Sequence, residues 1–195
     1  MHGLINRALQ SFTCTTYGPA HWQRAVEAAG FASAEFEAML VYDDGQSLRL
    51  LDALCRDIGR DPAGFLEDMG TYLVSHPQTE ALRRLLRFGG VTYVDFLHSL
   101  DDLPDRVRMA VSDLHLPALE LREYRDGRFE LTCHPGLPGY GCVMTGILRA
   151  MADDYGALAT LDLDPTGDGG GIIAVTLVES AFAEGRQFDL GARAG

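Results

Sequence analysis

The chain has 195 residues, 47% of them apolar and 23% charged, and 16 basic against 28 acidic residues leave a net charge of −12. That composition supports a folded core and rules out a disordered chain or a cysteine-dense secreted scaffold, while the negative field disfavours nucleic acid and gives anionic lipid nothing to attract. All 16 basic residues are arginine, so a phosphate-loop lysine, a kinase-type strand lysine and a Schiff-base lysine are all excluded.

Leu4, Ile5, Ala8, Leu9 and Phe12 fall on one face at helical spacing and predict a first helix ended by Tyr17-Gly18-Pro19. His21 to Ala29 reads as a second, closed by Gly30. Ser47 to Ile58 repeats the pattern through Leu48, Leu51, Cys55 and Ile58, with Gly59 in the stop position. Asp61-Pro62 is an N-cap followed by proline, and it opens a helix with Phe65, Leu66, Met69 and Leu73 inward. Leu82, Leu85 and Leu86 continue the helical region to the break at Gly89-Gly90. Val91 to Leu103 restarts it with Val94, Phe96, Leu97, Leu100 and Leu103. Pro104 interrupts, and Val107, Ala110, Val111 and Leu114 predict a further helical piece.

After His115 the period changes. Leu119 and Leu121 alternate with polar residues, Asp126-Gly127 is a hairpin turn, and Phe129, Leu131 and Cys133 alternate again. Val143, Met144, Ile147, Leu148 and Met151 predict an amphipathic helix. Strands at Ala157 to Leu163 and Ile172 to Val178 follow, joined by Gly167-Asp168-Gly169-Gly170-Gly171. No strand feeds a helix across that turn, so it is not a dinucleotide fingerprint. The tail from Glu184 is polar and expected to fray. The order predicts an α+β fold, an N-terminal helical lobe followed by a four-stranded antiparallel sheet with an inserted helix. One domain is expected over 1–180, with the lobes meeting near 115/116 and a tail at 181–195.

Cys14, Cys55, Cys133 and Cys142 include no CxxC pair, so neither a zinc ribbon nor a thioredoxin-type motif is present. The N-terminus lacks the basic and apolar regions of a signal peptide, and no apolar run spans a bilayer, so a cytoplasmic protein is expected. No Ser/His/Asp or Cys/His set has catalytic spacing, which argues for a non-enzymatic role.

The order of elements resembles the haem nitric oxide/oxygen-binding (H-NOX) family, and specific residues carry the likeness. Met1-His2-Gly3-Leu4-Ile5-Asn6 is similar to its N-terminus and Pro19-Ala20-His21-Trp22 to its second helix. Asp43-Asp44, Leu66-Glu67-Asp68-Met69-Gly70 and Phe88-Gly89-Gly90 through Asp95-Phe96-Leu97 resemble family segments in the same order. Pro117 matches the proline that presses on the porphyrin, and Gly139-Tyr140 leads into the family's helix within the sheet. The resemblance implies haem, or another tetrapyrrole or apolar ligand, with Ile5 among the residues around it. It also implies sensing of NO or O2 and signalling to a separate protein such as a histidine kinase or cyclic-dinucleotide enzyme.

Two departures bear on that chemistry. Counting forward from Phe88-Gly89 and back from Pro117, the family's axial histidine falls on Pro104, whose side chain has no donor for iron. The Tyr-x-Ser-x-Arg motif that grips the propionates falls on Glu130, Thr132 and His134. Strand periodicity puts these on one face, but Glu130 repels propionates and His134 lacks the permanent charge and fork of arginine. His98 shares the axial region and is the best alternative iron ligand, although it lies roughly 240° around a helix from Pro104. His115 stands near a loop.

Two readings follow: an atypical haem-based gas sensor, or a haem-independent interaction module whose pocket is filled, with Phe96, Met109 and Tyr140 as fillers. Cys14 and Cys55 read as small buried hydrophobes. Cys133 and Cys142 flank one turn, and Asp101, Asp102 and Asp105 read as support for the helix starting near Pro104.

Overall fold

The computed structural model describes residues 1–167 and 169–188, which form two compact units, one of Met1–Met69 and one that begins at Gly70. In the first unit α1 spans Gly3–Thr16, α2 Pro19–Ala28 and α3 Asp44–Ile58, and α4, Pro62–Ser75, begins there. α2 starts at Pro19, two residues before the expected His21, because a proline in the first turn has no N–H to leave unpaired. α3 also starts early, since the Asp43 carboxylate accepts a hydrogen bond from Gln46 N at 2.7 Å. It stops at Gly59, whose φ of 74° few side chains tolerate. Asp61 caps α4 by accepting from Gly64 N at 2.8 Å.

Leu50, Leu54 and Phe65 are fully buried in this unit, each worth roughly 1.5–3 kcal/mol of burial. Phe12 meets Phe65 edge to face at 5.1 Å, and the Trp22 indole donates to Ala34 O at 2.8 Å. The backbone around Glu37 passes so close to α1 that a Cβ on Gly3 would lie 2.0 Å from Glu37 O.

The second unit holds α5 (Glu80–Arg87), α6 (Tyr93–His98), α7 (Leu103–Ala110), β1 (Leu119–Glu123), β2 (Arg128–Cys133), α8 (Tyr140–Tyr155), β3 (Leu158–Pro165) and β4 (Gly171–Glu179). The strands form one antiparallel sheet in the order β1-β2-β4-β3. Asp126 and Gly127 both take positive φ, 64° and 69°, at the β1–β2 hairpin, which matches the twist of the flanking strands. Leu131 pairs with Leu121 and Ile173, and Phe129 with Val175, so one sheet face carries the apolar side chains. They share a core with Met144, Leu148 and Met151 of α8.

α4 and α8 approach at backbone distance: a Cβ on Gly70 would stand 2.1 Å from Val143 O and 3.0 Å from Ile147 N. The unit boundary falls ahead of position 115, where the sequence period changes. Leu86, Phe96, Leu97, Leu100, Leu103 and Val107 from α5–α7 are buried in the same core as the sheet, which is why they group with it.

The stretch Val91 to Leu103 is two pieces rather than one helix. α6 ends at His98, where Ser99 Oγ donates to Phe96 O at 2.7 Å and Arg106 Nη2 donates to Ser99 O at 2.8 Å, so side chains satisfy carbonyls that a longer helix would use. Pro104 does not interrupt a helix but sits in the first turn of a new one. Residues 184–188 of the tail are held rather than frayed: Arg186 N donates to Asp154 O at 3.0 Å and Arg83 Nη2 to Gln187 O at 3.2 Å. The rest of the tail and Asp168 of the glycine-rich turn lie outside the described residues. No helix among the described residues is long and apolar enough to cross a membrane.

Candidate functional site

Pro104 stands in the first turn of α7, half-buried, between the buried Leu103 and Val107. Its ring fixes φ at a helical value and suits that place. Its side chain presents only saturated carbon and no lone pair with which to ligate a metal. Pro117 is buried. A Cβ on Gly136 would lie 3.5 Å from Pro117 Cγ, so the loop after β2 runs along this proline.

Glu130 and Thr132 alternate with the buried Phe129, Leu131 and Cys133, which places them on the outer face of β2. Glu130 lies opposite Arg122, Thr132 opposite Glu120, and His134 follows the strand with its N–H donating to Ala118 O at 2.9 Å. Glu130 Oε2 accepts from the Tyr124 hydroxyl at 2.6 Å, and that bond raises the tyrosine's pKa. His134 Nε2 stands 3.8 Å from Glu120 Oε2, and Glu120 also takes the Arg122 guanidinium at 3.0 Å. Two carboxylates, one arginine and one imidazole therefore share this face. An anion placed there meets Glu120 and Glu130 before it finds a free donor.

The other candidate donors are dispersed. His98 Nε2 is 3.2 Å from Glu123 Oε2, with its ring edge-on to Phe129, and about half the side chain faces solvent. His115 is exposed, its Nδ1 3.1 Å from Asp113 O. Among the described residues no group of three or more His, Cys, Asp or Glu side chains could hold a metal ion. Asp101 accepts from Leu121 N at 2.7 Å and covers part of the edge of β1, while Asp105 pairs with Arg108 at 3.0 Å on α7. Ile5 lies on α1, in the first unit.

All four cysteines are free thiols. Burial raises the Cys55 thiol to about 11 and the Cys133 thiol to about 12, so both are poor nucleophiles. Of the three filler residues, Phe96 and Tyr140 belong to the core of the second unit, but Met109 is 81% exposed and fills nothing. It sits on the outward side of α7, where apolar character alone did not fix its direction.

One ionic site escaped the sequence reading. Asp154 near the end of α8 is 1% exposed and faces Arg83 Nε at 2.8 Å, Arg87 Nε at 3.6 Å and Arg186 Nε at 3.8 Å. Arg83 also reaches Glu80 at 3.1 Å. The available signal was periodicity: Asp154 continues the buried face of Ile147 and Met151 at helical spacing.

The sequence pattern of the family described as Haem-NO-binding matches residues 2–161. Soluble guanylate cyclase gcy-31 of Caenorhabditis elegans is 26% identical over 135 residues, covering 69% of this chain and 19% of that protein. Soluble guanylate cyclase 89Db of Drosophila melanogaster is 19% identical over 155 residues, covering 80% of this chain and 23% of that protein. The chain thus spans about a fifth of the length of these relatives. Among solved structures, the Fe(II) unliganded H-NOX protein from K. algicida superposes with a TM-score of 0.80 at 15% identity, covering 94% of this chain and 100% of that one. An oxygen-binding H-NOX domain related to soluble guanylate cyclases gives 0.71 at 13% identity, covering 96% and 100%.

Proposed function

The chain belongs to the haem-NO-binding family, and from that premise we propose that it is a regulatory domain signalling to a separate protein without an iron–histidine bond at the family's axial position. Pro104 carries this reading. A proline ring cannot ligate iron, and the residues at the clamp positions do not compensate. Glu130 presents a carboxylate already bonded to Tyr124, Thr132 a single hydroxyl, and His134 an imidazole beside Glu120. These side chains do not fit a histidine-ligated, propionate-clamped haem. Pro117, which the family resemblance places beside the ligand, is apolar and suits an apolar ligand as readily as a porphyrin.

On this reading the partner is a signalling enzyme, such as a histidine kinase or cyclic-dinucleotide enzyme, and the domain modulates it by contact. The protein is regulatory rather than catalytic, and NO or O2 does not act through a histidine-bound iron. The reading of an atypical gas sensor rests on family membership and Pro117, with His98 as substitute iron ligand.

An absorption spectrum and a total haem assay on protein made with haem supplied during expression separate the two. We expect no stoichiometric Soret band from the unmodified chain, and a gain in retained haem for Pro104→His, which restores an imidazole at the axial position. A stoichiometric band from the unmodified chain that is lost in His98→Ala overturns the haem-independent reading. The same band unaffected by His98→Ala and by His134→Ala overturns it too, and removes those two residues as ligands.

A further inference from the structure

We infer that residues 183–188 form a latch whose seating on α5 and α8 sets the order of the junction between α5 and α6. It stands apart from the question of haem, since none of the residues it rests on is a candidate iron ligand or propionate-clamp residue. Its first basis is a backbone seat. Ala183 N donates to Gly156 O at 3.0 Å and Arg186 N to Asp154 O at 3.0 Å. The two segments run so close that a Cβ on Gly156 would stand 2.2 Å from Ala183 O, and one on Gly185 2.9 Å from Asp154 O. A segment merely lying on the surface does not require glycine on both sides of the contact.

The second basis is what the latch closes over. Phe188 places its ring 5.1 Å from the Arg87 guanidinium and 5.9 Å from that of Arg83. Arg87 also meets the Tyr155 ring, at 3.9 Å. Arg83 is fixed by ion pairs to Asp154 and Glu80 and donates to Gln187 O. Arg87 is held differently. Among the described residues its Nε and Nη1 have no hydrogen-bond partner, and neither has Asp154 Oδ2, which stands 3.6 Å from that Nε. Among the described residues the contacts of this guanidinium are two aromatic rings and a carboxylate 3.6 Å away. Removing the Phe188 ring opens one side of this cluster to water, which can then bond all three orphan atoms. The seated and released states differ by few hydrogen bonds, as a detachable element requires.

The third basis is the route inward. The Tyr155 hydroxyl donates to Gly90 O at 2.9 Å, and its ring lies 6.2 Å from Tyr93 and 5.9 Å from Phe96. Gly90 belongs to the short connection from α5, and Tyr93 and Phe96 belong to α6. That connection tolerates no displacement toward α6, for a Cβ on Gly90 would already strike Asp95 Cβ at 2.1 Å. Phe188, Arg87 and Tyr155 thus form one packed series from the latch to the start of α6, with physical contact at each step.

Amide hydrogen exchange by mass spectrometry on the full chain tests this, comparing the unmodified protein with Phe188→Ala and Phe188→Tyr. For Phe188→Ala we expect exchange to rise at least severalfold in 183–188 and also in 88–96, with the β2–β4 ladder unchanged. Phe188→Tyr keeps a ring over Arg87 and is expected to exchange like the unmodified chain. Arg87→Lys retains the charge but not the planar stack, and is expected to reproduce the Phe188→Ala pattern. Faster exchange confined to 183–188 overturns the coupling. No change in either segment overturns the latch itself, and an equal rise across the β2–β4 ladder overturns it by showing general loosening.

Discussion

Replacing Asp154 by asparagine isolates the buried carboxylate around which Arg83, Arg87 and Arg186 converge. Asparagine preserves the volume and one oxygen for Arg83 Nε, so packing changes little while the charge is lost. Arg83 is 5% exposed and then keeps, among the described residues, Glu80 alone as its anion, at 3.1 Å. Breaking a buried pair by removing one partner costs about 3–5 kcal/mol, because the other charge stays buried without compensation. For a chain of this size each kcal/mol lowers Tm by about 2–4 °C, giving a fall of about 6–20 °C. Urea denaturation read through amide exchange at Leu131 and Ile173 places the loss in the unit that holds Asp154. Adding Arg83→Met should return part of the loss, since an uncharged side chain no longer needs the anion. A loss below about 1 kcal/mol for Asp154→Asn, with no recovery in the double variant, would refute the reasoning and mean that water screens these charges.

Gly70→Ala should destabilise the chain by about 1–3 kcal/mol, because the new methyl must push Val143 O back from 2.1 Å and thereby part α4 from α8; a Tm within about 1 °C of the unmodified chain would show that the crossing yields freely. Asp57 is held down to about 2 from an ordinary 3.8, first by its hydrogen bond with Arg24 and then by that with His21. A carboxyl with a depressed folded-state pKa contributes stability above its unfolded value and loses it as protons bind, so this contribution is full above pH ~4 and gone near pH ~2. NMR titration should place the Asp57 midpoint near the lower figure and move it upward in Arg24→Ala, and a midpoint near 4 with Arg24 intact would contradict the geometry.

Much of the fold was legible because its signals are local. Asp61-Pro62, Gly59 and Asp126-Gly127 each act through their own backbone conformation, and all three mark the element ends where the sequence places them. Alternation through Phe129, Leu131 and Cys133 fixed which face of β2 is buried. The break between α6 and α7 was not legible, because it depends on Arg106 reaching back to Ser99, a contact set by tertiary placement. The Asp154 cluster was hidden for a related reason. Helical spacing turns Asp154 inward with Ile147 and Met151, but only packing brings Arg83, Arg87 and Arg186 to it. Residues 184–188 were misjudged on composition: Gly185 looks like a loosening residue but permits close contact with Asp154 O.

The residues that carry the likeness to the family divide by what they do. Gly3 lets the backbone near Glu37 approach α1, Gly70 lets α4 meet α8, and Gly90 lets the α5–α6 connection lie against Asp95. Each is demanded by a backbone distance at which any Cβ would collide, whether or not a cofactor is present. On the proposed reading the departures sit elsewhere, at Pro104, Glu130 and His134, where chemistry toward a ligand rather than backbone packing sets the demand. Leu103 and Val107 pack into the core of the second unit beside Pro104, and Leu131 does so between Glu130 and Thr132. Proline in a first helical turn and outward polar residues on a strand cost the fold nothing. The fold therefore does not depend on which side chains stand at these positions, and on the proposed reading an imidazole placed at position 104 is the direct way to learn whether the remaining residues accept a haem.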